Sequence, residues 1–196
     1  MLRGGSYTRR LFLLGGLTVP MARALAIDSL RVRSDGTFLR ATTPNLQFLT
    51  GRPLQRLRNG ATILYLFQFS LSTDQFTTIA HRAFERFAIS YDIWEEKFAV
   101  TRLGMARIAT SHLDAVHTQA WCLSQVTIPA DGAGREQPVW LRMEVRVDES
   151  KFSPLVFSSP PLSLNRLIEI FSRPALSAQE RWMAEAGPLK IAELNR

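Results

Sequence analysis

Between Ala61 and Leu71 one alternating set, Ile63, Tyr65, Phe67, Phe69 and Leu71, is wholly apolar, while the other mixes Leu64 and Leu66 with Thr62, Gln68 and Ser70. Such a segment reads as a mid-sheet strand covered on both faces, and its aromatic content favours strand over helix. Ser72-Thr73-Asp74 then supplies turn chemistry. From Ile79 to Val100, Phe84, Phe87, Ile89, Tyr91, Trp94 and Phe98 interleave with Arg82, Glu85, Arg86, Asp92, Glu95, Glu96 and Lys97, which suits a sheet with one wet face. A helix over Thr77 to Phe87 is the competing reading, and with no Gly or Pro near Tyr91-Asp92 a bend or bulge is expected there. The clearest half-buried strand comes later: Val139, Leu141, Met143, Val145 and Val147 alternate with Trp140, Arg142, Glu144, Arg146 and Asp148. Arg142, Glu144 and Arg146 are expected on a solvated face.

Shorter signals fill the rest. Ser34-Asp35-Gly36, between Leu30-Arg31-Val32-Arg33 and Thr37 to Thr42, predicts a hairpin. Pro53 and Asn59-Gly60 bracket a short helix that turns Leu54 and Leu57 to the sheet. The pattern lapses into a loop at Gly104 to Thr110. Ser111-His112-Leu113-Asp114 resembles a capping box opening a helix with Leu113, Val116, Ala120 and Trp121 on one face. Leu123 to Ile128 alternates weakly, Pro129 to Pro138 reads as a hairpin loop, and Phe152 to Pro161 as a proline-interrupted edge segment. Ser163 would cap a helix holding Leu164, Leu167, Ile168 and Phe171. Ser177-Ala178-Gln179-Glu180 would cap another carrying Trp182 and Met183 and ending at Gly187-Pro188. The expected fold is α+β and mainly β. It is a single antiparallel β-sandwich-like domain over 27–196, with one packed helix after the central strands and two short C-terminal helices in an extension over 162–196.

The chain has 196 residues, 46% of them hydrophobic, enough for one core. A formal charge of +7 suggests nucleic acid, yet the first 26 residues hold Arg3, Arg9, Arg10 and Arg23 and no acid. Without them 20 basic residues face 17 acidic ones, and a dispersed excess of +3 is a poor phosphate-tracking surface. Cys122 is the single cysteine, so no intramolecular disulfide forms.

Thr8-Arg9-Arg10-Leu11-Phe12-Leu13 resembles the twin-arginine export motif up to its last position, where Leu14 replaces lysine. The apolar run that follows, Leu11 to Met21, is too short for a membrane span, which needs about 20 residues. Ala24-Leu25-Ala26 offers small residues to a signal peptidase, with Ala22-Arg23-Ala24 as the alternative, and Arg23 resembles the charge that disfavours the general secretory route. The resemblance implies residues 1–26 as a cleaved leader, the twin-arginine translocase and signal peptidase as partners in export, and a periplasmic body that crosses already folded. No transmembrane anchor is expected in the mature chain. Leu57-Arg58-Asn59-Gly60 before an aromatic strand, Phe87-Ala88-Ile89-Ser90-Tyr91-Asp92 leading to Phe98-Ala99-Val100, the helix after it, and Trp140-Leu141-Arg142 resemble, over Leu30 to Pro161, the exported bacterial family called domain of unknown function 4390. That resemblance implies an exported domain and brings no active-site residue with it.

Candidate chemistry is sparse. Asp114 and His117, three apart on a helix, share a face as metal ligands do, whereas His112 and His117 point about 140° apart. His81 has no assignable place beside them, and surface polarity is the simpler account. Cys122 lacks an identifiable base. Asp92, Glu95 and Glu96 would be paired carboxylates for sugar hydrolysis, but on a strand Asp92 and Glu96 share a face that Glu95 leaves. Gly132-x-Gly134 lacks the following helix of a phosphate cradle. No catalytic residue and no cofactor is assigned. The sequence favours a non-enzymatic module in the envelope with a protein partner. The alternative is a small exported hydrolase or metal-binding protein whose site is assembled from distant residues.

Overall fold

The aromatic segment is the middle of a sheet. The computed structural model describes residues 27–42, 46–104, 106–132, 134–148, 168 and 180–194. In chain order the strands and helices are β1 (Ile27–Ser29), β2 (Val32–Ser34), β3 (Phe38–Ala41), α1 (Gly51–Arg58), β4 (Ile63–Asp74), β5 (Thr78–Asp92), β6 (Lys97–Leu103), β7 (Ile108–Leu113), α2 (Ala115–Ser124), β8 (Thr127–Pro129), β9 (Pro138–Val147) and β10 (Arg181–Lys190). Single 3-10 turns lie at Ala130–Gly132 and Ile191–Glu193. A seven-stranded sheet runs β1-β10-β9-β4-β5-β6-β7, and β2, β3 and β8 form a second sheet. All pairs are antiparallel except β1 against β10.

Register explains the core. Tyr65 stands between Phe87 and Val147, and Phe69 between Ala83 and Met143, so one face of β4, β5 and β9 is a continuous apolar surface. Leu39, Ala41 and Ile128 of the small sheet, Leu57 of α1, and Cys122 and Leu123 of α2 join the same buried cluster. Phe48 meets Phe67 edge-on at 5.1 Å, and Phe67 meets Phe87 at 4.9 Å, the geometry favoured by the ring quadrupoles. Each such ring contributes roughly 1.5–3 kcal/mol by leaving water. The hairpin of β2 and β3, the helix bracketed by Pro53 and Gly60, and the strand β9 all stand where the sequence predicts them.

Several expectations need correction. Trp182 and Met183 lie on β10, not on a helix: Trp182 and Ala184 take the core side of the ladder with β9 while Arg181, Met183 and Glu185 take the other. Met, Ala and Glu are helix formers, and the tertiary ladder overrides them. Gly187-Pro188 is therefore not a helix stop but sits where the β10–β9 register shifts, as a proline inside a sheet must. A Cβ on Gly187 would stand 2.7 Å from the Trp140 ring and 2.9 Å from its Cα, so the strand closes only over a glycine. The helix expected from Ser163 and the edge segment Phe152 to Pro161 fall outside the described residues, Ile168 excepted, which is helical.

Turns are displaced by a few residues. Ser72-Thr73-Asp74 ends β4 and the turn follows at 75–77, where Asp74 accepts from the Thr78 backbone N–H and hydroxyl. The expected bend at Tyr91-Asp92 is a tight turn over 93–96, closed without glycine because Glu96 takes a positive φ of 55°. β7 begins at Ile108, inside the expected loop, and α2 is capped by Asp114 rather than Ser111. The stretch after β8 is not a hairpin loop, since β8 and β9 belong to different sheets. Finally, the polar side of β9 is not solvated: Glu144 and Arg146 are 3% and 2% exposed.

Candidate functional site

Asp114 and His117 are brought together, as a cap. Asp114 Oδ1 accepts from the His117 backbone N–H at 2.8 Å, and His117 Nδ1 lies 2.8 Å from the same carboxylate. These bonds hold the Asp114 carboxyl below its usual range. His112 is on β7, not on the helix; it takes a positive φ of 61° and places Nε2 3.0 Å from Glu95 Oε2. His81 stands on β5 opposite Leu71. Among the described residues no three His, Cys, Asp or Glu side chains gather as a metal site needs.

The acidic run is a turn. Asp92 Oδ1 accepts from the backbone N–H groups of Trp94 at 2.8 Å and Glu95 at 3.1 Å, which keeps its carboxyl ionised to lower pH than usual. This pinning lifts Trp94 out of the fold: it is 89% exposed, with Ile93 at 55% beside it and Val116 of α2 at 71%. The alternation that sets Trp94 beside Phe87, Ile89, Tyr91 and Phe98 stops at Asp92, where the turn begins.

Cys122 is fully buried, and burial pushes its thiol up, away from the thiolate a nucleophile needs. Tyr65 is buried against it and is raised for the same reason. On the far face of the sheet, Glu144 Oε1 accepts from Arg146 Nε at 2.5 Å and lies 2.7 Å from Arg181 Nε, out of line for a hydrogen bond. Beside it Glu185 Oε1 accepts from Arg142 Nε at 2.6 Å, and the Arg142 guanidinium lies 4.1 Å over the Phe76 ring. Among the described residues these carboxylates and guanidiniums pair with one another.

A cleft of about 780 Å³ opens between the β2–β3 turn, the 3-10 turn after β8 and the C-terminal 3-10 turn. Phe38, Pro129 and Ile191 form its apolar side, and Asp131 and Arg135 line it too. Sequence reasoning dismissed Asp131 to Arg135 as loop, because nothing in a single chain shows which loops converge. Among the described residues no helix is long and apolar enough to cross a membrane. Comparison with family models, with curated proteins and with solved structures finds no match to this chain.

Proposed function

We propose that this chain is an exported cell-envelope protein, residues 1–26 its twin-arginine leader, and that its body is a non-enzymatic interaction module built as a β-sandwich. The Thr8-Arg9-Arg10-Leu11-Phe12-Leu13 motif supports the export reading. The sandwich is supported by the single buried cluster that unites Leu39 and Ile128 of the small sheet with Phe67 and Val145 of the large one. The interaction reading rests on Trp94. Tryptophan is the residue type most enriched at binding hot spots, and this one is held outward on a hairpin turn by Asp92. With Asp92, Glu95 and Glu96 around it, the surface it suits is a basic one with an apolar pocket.

A photo-crosslinking residue at position 94, expressed in the native host, tests both parts. It is expected to trap an envelope protein that the same residue at Arg58, exposed on α1, does not trap. With Arg9 and Arg10 changed to lysine the precursor should persist uncleaved and trap nothing. Equal trapping at both positions would remove the interaction reading, and normal processing of the lysine variant would remove the twin-arginine route.

A further inference from the structure

We propose that the cleft beside the small sheet binds a short zwitterionic peptide of apolar residues, with its ammonium on Asp131, its carboxylate on Arg135 and its side chains against Phe38 and Ile191. The volume, about 780 Å³, lies in the range of sites that enclose small ligands.

The walls are preformed. The Ala130 backbone N–H donates to the Thr37 carbonyl at 2.8 Å, joining the 3-10 turn after β8 to the β2–β3 turn. The Ala192 N–H donates to the Arg135 carbonyl at 3.2 Å, joining the C-terminal 3-10 turn to the loop before β9. Little ordering is then left to oppose binding.

The charges lining the cleft differ in what they already do. Asp35, in the turn beside it, accepts from the backbone N–H groups of Thr37 and Phe38 and pairs with Arg40 at 3.3 Å. Asp131 and Arg135 make no side-chain hydrogen bond or ion pair among the described residues. Opposite charges that line one cleft without coming within ion-pairing distance of each other match a ligand carrying both charges. A zwitterion answers both groups at once, and each added residue of extended chain lengthens its span by about 3.3–3.6 Å. Phe38, 39% exposed on a strand of the small sheet, gives the apolar side chains a surface to cover.

Calorimetric titration with dileucine tests this on the protein as its host processes it. Dileucine with free termini is expected to bind, N-acetyl-dileucine and dileucine amide each about tenfold more weakly, since each loses one charge-assisted contact. Asp131→Asn should weaken dileucine about tenfold and leave N-acetyl-dileucine unchanged, while Arg135→Gln should leave dileucine amide unchanged. Both side chains are exposed on loops, so the variants should keep the parent's circular dichroism spectrum. No heat from dileucine at millimolar concentration overturns the proposal. Binding indifferent to both substitutions does so too.

Discussion

The two faces of the seven-stranded sheet bury residues by opposite means. On one, Tyr65, Phe67, Phe69, Phe87 and Val145 interlock with α1, α2 and the small sheet, and shape alone keeps them in place. On the other, Gln68, Ser70, Glu144 and Arg146 are as deeply buried, and only Leu64, Leu66 and Ala88 make a separate apolar cluster. Desolvation opposes burial on the second face, so its stability depends on every charge keeping its partner. An apolar face loses stability in proportion to the volume removed; a paired face fails when one half of a pair goes.

The largest expected effect follows from that. Glu144→Ala deletes the carboxylate that Arg146 and Arg181 share and should cost about 3 kcal/mol, read as a lower urea midpoint. Glu144→Leu with Arg146→Met should recover most of it, because two apolar residues of similar volume remove the buried Arg146 guanidinium and leave only the partly exposed Arg181 without its carboxylate. If the double variant is as unstable as the sum of its parts, the pair is not the unit of stability and the two faces are alike.

The faces also differed in how far the chain disclosed them. Strict alternation in β9 and the aromatic set of β4 mark the core side, and those residues are all buried. The partner face reads as wet because alternation of charge with Val and Leu is the signature of a solvated strand, and periodicity does not report that Glu144 and Arg146 are buried. β10 was misread for a related reason: Trp182-Met183-Ala184-Glu185-Ala186 has helix-forming composition, and its strand state is imposed by β9 on one side and β1 on the other. The bend expected at Tyr91-Asp92 is a tight turn that uses Glu96 rather than glycine, so its exposure of Trp94 has no glycine to announce it. The cleft needed three distant loops to meet, so no local pattern could show it.

A middle-sized effect separates the faces by pH. Cys122 belongs to the apolar side, and its thiol is raised there from the ordinary 9.0. A group whose acid form is favoured in the fold binds its proton more tightly than in the unfolded chain, so stability is intact below pH 9 and falls above it. The slope is about 1.4 kcal/mol per pH unit for one such group. Thermal melts at rising pH should show this decline, and Cys122→Ala should flatten it until Tyr65, whose ordinary value is 10.0, adds its own. A variant that declines as the parent does would place the alkaline weakness elsewhere.

The smallest effect sharpens the comparison most, because its sign is opposite. Tyr65 is fully buried among Phe48, Trp182 and Phe87, and among the described residues its hydroxyl has no hydrogen-bond partner. Burial of that oxygen costs without return, whereas the Glu144 carboxylate is answered by the Arg146 guanidinium. Tyr65→Phe removes the oxygen, leaves the ring contacts at 5.2 Å and 6.2 Å in place, and creates a void smaller than a methyl group. It should therefore stabilise the fold by about 1 kcal/mol, seen as a higher urea midpoint with unchanged slope. On the paired face the same loss of one oxygen, Glu144→Gln being the comparison, should destabilise, since a charge is lost from a site built around it. Were Tyr65→Phe to lower the midpoint instead, the hydroxyl would have a partner in solution, and the apolar face would rest on polar pairing as its opposite does.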